Sequence, residues 1–347
     1  MEKKDNHSYL DLIIFLIIFL VALFTLVDSS SLKKPYHFDE LKYLEMSSLI
    51  NFMDIFKNFN PISLSDSPLM QIVSKTSFVL FDSPIFIVIF NSFLRIISIL
   101  LLLKVIDCYT TKNFIWLKLI VIFDPLQNYY AISYLKETQV SFGIILFFYS
   151  FYFKNYRLIF FSLLIVILSR NVFTPFLIVF LFYDFFMREK FEKNKILIYL
   201  SLASVFILIL LFKDQIISFL IFRNEIIFNE GSVFFDNTPK HKIFSENIFR
   251  SFFLIASEVF ILPNIIYANS YKEIFYSISI LLYILPVIYY LVQNKSINLN
   301  LLSFLFLIII LMIILTTPYY SSEVRYKDII LKILFINICF KKFNERN

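Results

Sequence analysis

The chain has 347 residues, of which 59% are hydrophobic and 20% aromatic, with two glycines, two cysteines and a formal net charge of +6. Ordinary globular domains are about 45–50% apolar, so the composition argues for a membrane protein, and the want of a basic run interleaved with stacking aromatics argues against nucleic acid as a partner. Cys108 and Cys339 stand far apart with no metal-type Cys/His spacing, which sets aside a disulfide framework and a structural metal.

In chain order, the short basic "MEKKDNH" is expected in the cytoplasm. The run "LDLIIFLIIFLVALFTLV" (10–27) is about long enough for a hydrocarbon core of roughly 30 Å and lacks a cleavage site, so it reads as a retained first span. Residues 28–85 read as a long outer segment. Within it Met46, Leu49, Ile50, Met53 and Phe56 recur at three- and four-residue intervals, opposite Ser47, Asn51 and Asp54, which predicts an amphipathic interfacial helix; a second is predicted over 67–81.

Spans are predicted over 86–104, 114–132 and 139–153. The stretch 158–187 is expected to split near Arg170, because one continuous helix would place that guanidinium deep in lipid at roughly 2.5–3.5 kcal/mol. Thr174 would then cap the next helix, with Pro175 at its first position. Further spans are predicted over 196–212, 271–293, 301–316 and 328–340, with a second outer segment at 213–270. The expected fold is all-α: a polytopic, single membrane domain over 1–347 with about ten transmembrane helices, both termini cytoplasmic, in a bacterial-type inner (plasma) membrane. Two glycines make a transporter built from Gly-broken helices a poor fit.

On this topology the residues with chemical potential face outward. Asp39 and Glu40 can serve as a general base or hold a divalent cation, or simply cap a helix. Lys136 can contact a phosphate as a point charge beside Glu137, or these two can be a snorkelling lysine and a helix-start acid. Arg170, followed by Asn171, suits bidentate phosphate binding or an internal ion pair. Arg325 and Tyr326 in "SSEVRYKD" could clamp a phosphate, or be exposed interfacial charge. His37 beside Asp39 is a weak metal signal, so no metal site is assigned; there is no Gly-rich phosphate loop, Gly-x-Ser-x-Gly elbow or His-Glu-x-x-His.

Several of these stretches, in order, carry a resemblance. "FDELKYLEMSSLI", "SPLMQIVSKTSFVLF", "DPLQNYYAISYLKETQ", "LSRN", "ILPNII" and "EVRYKDIILKILF" are similar to landmarks of the GT-C superfamily of integral-membrane glycosyltransferases, in the branch of protein O-mannosyltransferases and aminoarabinose transferase. The resemblance implies sugar transfer from a polyprenyl-phosphate-linked donor to a glycan or lipid acceptor on the extracytoplasmic face. Asp39 would be the catalytic base, Glu40 would position the acceptor or a cation, and Lys136, Arg170 and Arg325 would neutralise the leaving phosphate. Lys136-Glu137 departs from the family pattern, leaving the role of Glu137 and any cofactor cation open. The chain also looks like the O-antigen and capsule repeat-unit polymerases, in which Arg170, Arg223 and Arg325 would suit pyrophosphate handling. The alternative from another class is a polysaccharide or lipid exporter without chemistry.

Overall fold

Long apolar stretches with a single glycine, Gly143, among the described residues, punctuated by proline, make helix the only regular structure among those residues of the computed structural model. Those residues are 16, 43–45, 51–57, 67–109, 115–170, 173, 174, 177, 178, 180, 181, 278, 282 and 332. The helices are α1 (Phe52–Lys57), α2 (Pro68–Phe81), α3 (Ile85–Tyr109), α4 (Ile115–Ile122), α5 (Pro125–Ile132), α6 (Glu137–Tyr152) and α7 (Tyr156–Arg170). By its contacts the chain divides into two compact units, one of Met1–Thr174 with Leu282–Ile288 and Lys332–Asn347, the other of Pro175–Leu281 with Tyr289–Leu331. All seven helices belong to the first.

Proline sets two of the starts. Pro68 and Pro125 open α2 and α5, where the missing N–H is no loss because first-turn donors have no intrahelical acceptor. α2 stops at Asp82, which takes the left-handed conformation (φ 48°) and returns its N–H to Phe78 O at 3.1 Å. Ser77 Oγ then donates to Ser83 O and accepts from Phe86 N, stitching the turn to the beginning of α3. Lys154, at φ 54°, makes the corresponding turn between α6 and α7, and Asn155 N closes back on Ser150 O at 2.8 Å.

α3 is the central strut and packs against α2, α4, α5 and α6, while α6 also lies along α7. Leu94 of α3 meets Phe142 and Leu146 of α6, and a second cluster joins Tyr43 to Met70 and Val73 of α2 and Ile87 of α3. Gly143 permits the close approach of α6 and α7: a Cβ there would stand 2.7 Å from Val166 Cγ2 and 3.1 Å from Ile165 Cγ2.

The helix break between α4 and α5 is built from buried polar groups. Asp124 Oδ1 accepts from both Leu126 N and Gln127 N at 3.1 Å, capping α5. Arg95 Nη2 donates to Val121 O at 2.6 Å and Asn128 Nδ2 to Ile122 O at 2.9 Å, satisfying carbonyls at the C-terminus of α4. Arg95 Nε holds Asn128 Oδ1 at 3.0 Å, so the two capping side chains brace each other. Lys332 Nζ lies 3.4 Å from Asp124 Oδ2, with both side chains buried.

The all-α expectation stands, but the architecture of about ten membrane spans does not. Among the described residues one helix is long and apolar enough to cross a membrane, the stretch Ile85–Asp107 of α3, with mean hydropathy 2.5. The predicted span over 114–132 is two eight-residue helices, each about 12 Å long, broken at Asp124. The predicted span over 139–153 is the sixteen-residue α6, and fourteen of its residues are covered by the rest of the protein. An apolar helix buried on all sides satisfies the same sequence pattern as a lipid-facing one, which is the physical reason for the correction. The bilayer as a partner, the inner-membrane location and the outward-facing site were deduced from the ten spans and lose their basis with them.

Two local details go beyond the sequence reading. Among the described side chains of α1, Ile55 is buried (3% exposed), although it lies off the predicted apolar stripe, and Met53 of that stripe is 71% exposed. Thr174, expected as a cap, is itself helical, and its hydroxyl makes no hydrogen bond. The predicted first span and the outer segment 213–270 lie outside the described residues, apart from Leu16.

Candidate functional site

The loop between α5 and α6, residues 133–136, is held open by a helix side chain. Asn91, buried in α3, donates Nδ2 to Ser133 O at 3.2 Å and to Leu135 O at 3.0 Å. Gln139 Nε2, on the first turn of α6, donates to Asn91 Oδ1 at 3.3 Å. Ser92 Oγ adds a bond to Ala131 O, and Ser133 Oγ one to Tyr130 O. These contacts fix the backbone from which Lys136 and Glu137 project.

Lys136 Nζ donates to Ser67 Oγ at 2.6 Å, and Tyr43 OH lies 3.2 Å from the same oxygen. The ammonium also sits 5.8 Å from the centroid of the Tyr43 ring, within cation–π range. All three side chains are buried. Ser67 is the N-cap residue of α2, yet its hydroxyl makes no bond to the first-turn amides. It is turned instead toward Lys136, so the amides of Leu69 and Met70 keep the donor capacity that every helix start has.

Glu137 begins α6, where a carboxylate favours the positive end of the helix, and Arg170 closes α7, where a cation favours the negative end. The two meet as an ion pair, Arg170 Nη1 to Glu137 Oε1 at 3.7 Å. Arg170 is the more accessible partner, with 16% of its side chain exposed against 3% for Glu137. Around this end of the helix pair, Thr138 Oγ1, Gln139 Oε1 and Ser169 Oγ are buried without a hydrogen-bond partner. Native interiors leave few such atoms, and each calls for an explanation.

Of the residues expected at a site, the fold brings Glu137 and Arg170 into contact and sets Lys136 beside them on the chain. Asp39, Glu40, Asn171, Arg223, Arg325 and Tyr326 lie outside the described residues. Among the described residues no group of three or more His, Cys, Asp or Glu side chains is placed to hold a metal ion. Sequence reasoning missed Ser67, Tyr43, Asn91 and Arg95. Asn91 and Arg95 carried a signal: polar residues four apart, on one face of an otherwise apolar run, need buried partners.

No protein-family model, no curated protein and no solved structure matches the chain. The resemblance to GT-C glycosyltransferases, and to the glycan polymerases, is therefore corrected: the short motifs stand without a matching family, and the many-span bundle those enzymes need is replaced by a buried helical core with one span-length apolar helix among the described residues. Sugar transfer, glycan polymerisation and export all required that bundle and fall with it. So do the polyprenyl-phosphate-linked sugar and the glycan or lipid acceptor, which rested on the outward-facing topology and on the resemblance.

Proposed function

We propose that the cluster at the start of α2 and α6 binds the oxyanion of a small ligand, of the phosphate or carboxylate class. Lys136, the Ser67 and Tyr43 hydroxyls and the Leu69 and Met70 amides are the donors. One observation carries the reading: the N-cap hydroxyl of α2 is turned from its helix to a buried lysine. A helix start with open amides and a neighbouring cation is the arrangement that anions select.

Titration calorimetry with inorganic phosphate, and separately with acetate, tests this. The wild-type chain is expected to bind one of the two. Lys136→Met should weaken that binding by roughly tenfold or more, as the loss of a charge-assisted hydrogen bond requires. Thermal melts of each variant separate lost binding from lost folding. Absence of heat with either anion, or equal affinity in a folded Lys136→Met chain, would reject the reading.

A further inference from the structure

α3 is covered on one side only. α2, α4, α5 and α6 pack against it, yet less than half of its most apolar stretch is buried. The remaining face carries Ile85, Ile89, Phe93, Ile96 and Leu100, at spacings of four, four, three and four residues that keep them on one side of a helix. Ile89 is 53% exposed and Phe93 58%. Beside this strip Phe81, Phe86 and Phe90 stack in a file, with ring centroids 5.9 and 6.3 Å apart, which makes the surface continuous and stiff. Single exposed apolar side chains are ordinary, whereas a continuous strip marks an interaction surface.

The two ends of the strip carry opposite charges. Asp82, exposed, stands just before α3. Lys104, also exposed, lies one turn beyond Leu100, with its ammonium 5.5 Å from the ring centroids of Tyr149 and Phe153. Asp107, farther along, is paired with Lys118 at 2.7 Å. Between Asp82 and Lys104 the only charged residue is Arg95, which is buried on the opposite side of α3. The midpoint between Asp82 and Lys104 is Phe93. An antiparallel pair of α3 helices about a two-fold axis at Phe93 therefore sets each Asp82 opposite the other copy's Lys104, and Leu100 opposite Phe86. A two-fold interface has to be self-complementary, and this face is. The exposed face of α7 is not: Phe160, Phe161 and Leu164 lie between Arg157 and Arg170, so the same pairing there would set cation against cation.

We propose that α3 pairs antiparallel with the α3 of a second copy of this chain, with Asp82 and Lys104 forming two reciprocal ion pairs. The apolar strip supplies the affinity, and the charges at its ends fix the orientation. From Ile85 to Lys104 the strip is about 29 Å long and one helix wide. That is smaller than the roughly 800 Å² per partner of a standard interface, so the dimer is of the weak, reversible class. None of these residues belongs to the anion site, and the two readings stand or fall separately.

Sedimentation equilibrium of the full chain over a range of concentrations tests this. The wild-type chain is expected to show a reversible monomer–dimer equilibrium in the micromolar range. Phe93→Glu places two carboxylates on the axis and should abolish the dimer; because Phe93 is exposed, its thermal melt should match wild type. Asp82→Lys and Lys104→Asp should each weaken the dimer by roughly tenfold, since symmetry applies every change twice. The double variant Asp82→Lys/Lys104→Asp should return it to wild-type strength. Within one chain the two positions are about 33 Å apart along α3, so that recovery arises only across the interface. A chain that stays monomeric at every concentration overturns the proposal, as does a dimer indifferent to Phe93→Glu. Charge variants that are unchanged singly, or not restored in the double, overturn the antiparallel pairing. A monomer that floats with phosphatidylcholine vesicles would assign the face to lipid and likewise overturn it.

Discussion

At the residue scale, Asp124 does two things with its two oxygens. Oδ1 caps α5 through Leu126 N and Gln127 N, and Oδ2 faces Lys332. An N-cap is worth about 1 kcal/mol, whereas breaking a buried ion pair by removing one charge costs about 3–5 kcal/mol, so the second role dominates. Asp124→Asn keeps an acceptor for the cap and removes the charge. Its urea unfolding is expected to show a loss in the ion-pair range, and the double variant with Lys332→Met should recover much of it; additive losses in that cycle would refute the pairing. The sequence carries Asp124-Pro125, a cap residue before a first-turn proline, yet the span predicted over 114–132 ran through it. What it could not display was Lys332, because a contact between positions so far apart leaves no local pattern. Ser67 was hidden for a related reason: Ser-Pro announces a helix start, and only the position of Lys136 reveals that the hydroxyl points elsewhere.

At the scale of elements, the boundaries of α2, α3 and α6 were legible to within a few residues, since helical starts and stops are written in short-range chemistry. The partner of each face was not. α1 is the clearest case, where the stripe predicted for an interface includes Met53 and the fold packs Ile55, a residue outside that stripe. In a sequence with this much apolar surface, more than one stripe fits the helical period. The α6–α7 contact gives a sharp expectation. Gly143→Ala gains about 1 kcal/mol of helix propensity, but its Cβ meets the stiff, β-branched Val166 at 2.7 Å. Overpacking of this kind costs about 1–3 kcal/mol, so net destabilisation is expected. Adding Val166→Ala should relieve it; a Gly143→Ala chain as stable as wild type would show that the helices can part without penalty.

At the scale of the whole molecule, composition misled. A hydrophobic content of 59% was read as many spans, yet the apolar residues of α6 are spent on protein contacts. Hydropathy measures aversion to water and does not distinguish which non-aqueous surroundings satisfy it. The first compact unit also draws on the chain's distant end, since residues 332–347 belong with 1–174. Removing 332–347 should therefore destabilise that unit at least as much as Lys332→Met alone, by roughly the 3–5 kcal/mol of a broken buried pair. A truncated chain that unfolds at the wild-type urea concentration would show that the end contributes nothing to it.

The bonds around Asn91 run in one direction, from Gln139 through Asn91 to the carbonyls of Ser133 and Leu135. Such a file of aligned amide dipoles has a polarity, and each link strengthens the next. An aspartate matches asparagine in shape but has no protons to give, so Asn91→Asp would set a carboxylate against two carbonyl oxygens and release the segment that carries Lys136. In the wild-type chain in heavy water, the two Asn91 side-chain protons should be among the slowest to exchange, and their lifetime would report, from within α3, how firmly the lysine is aimed.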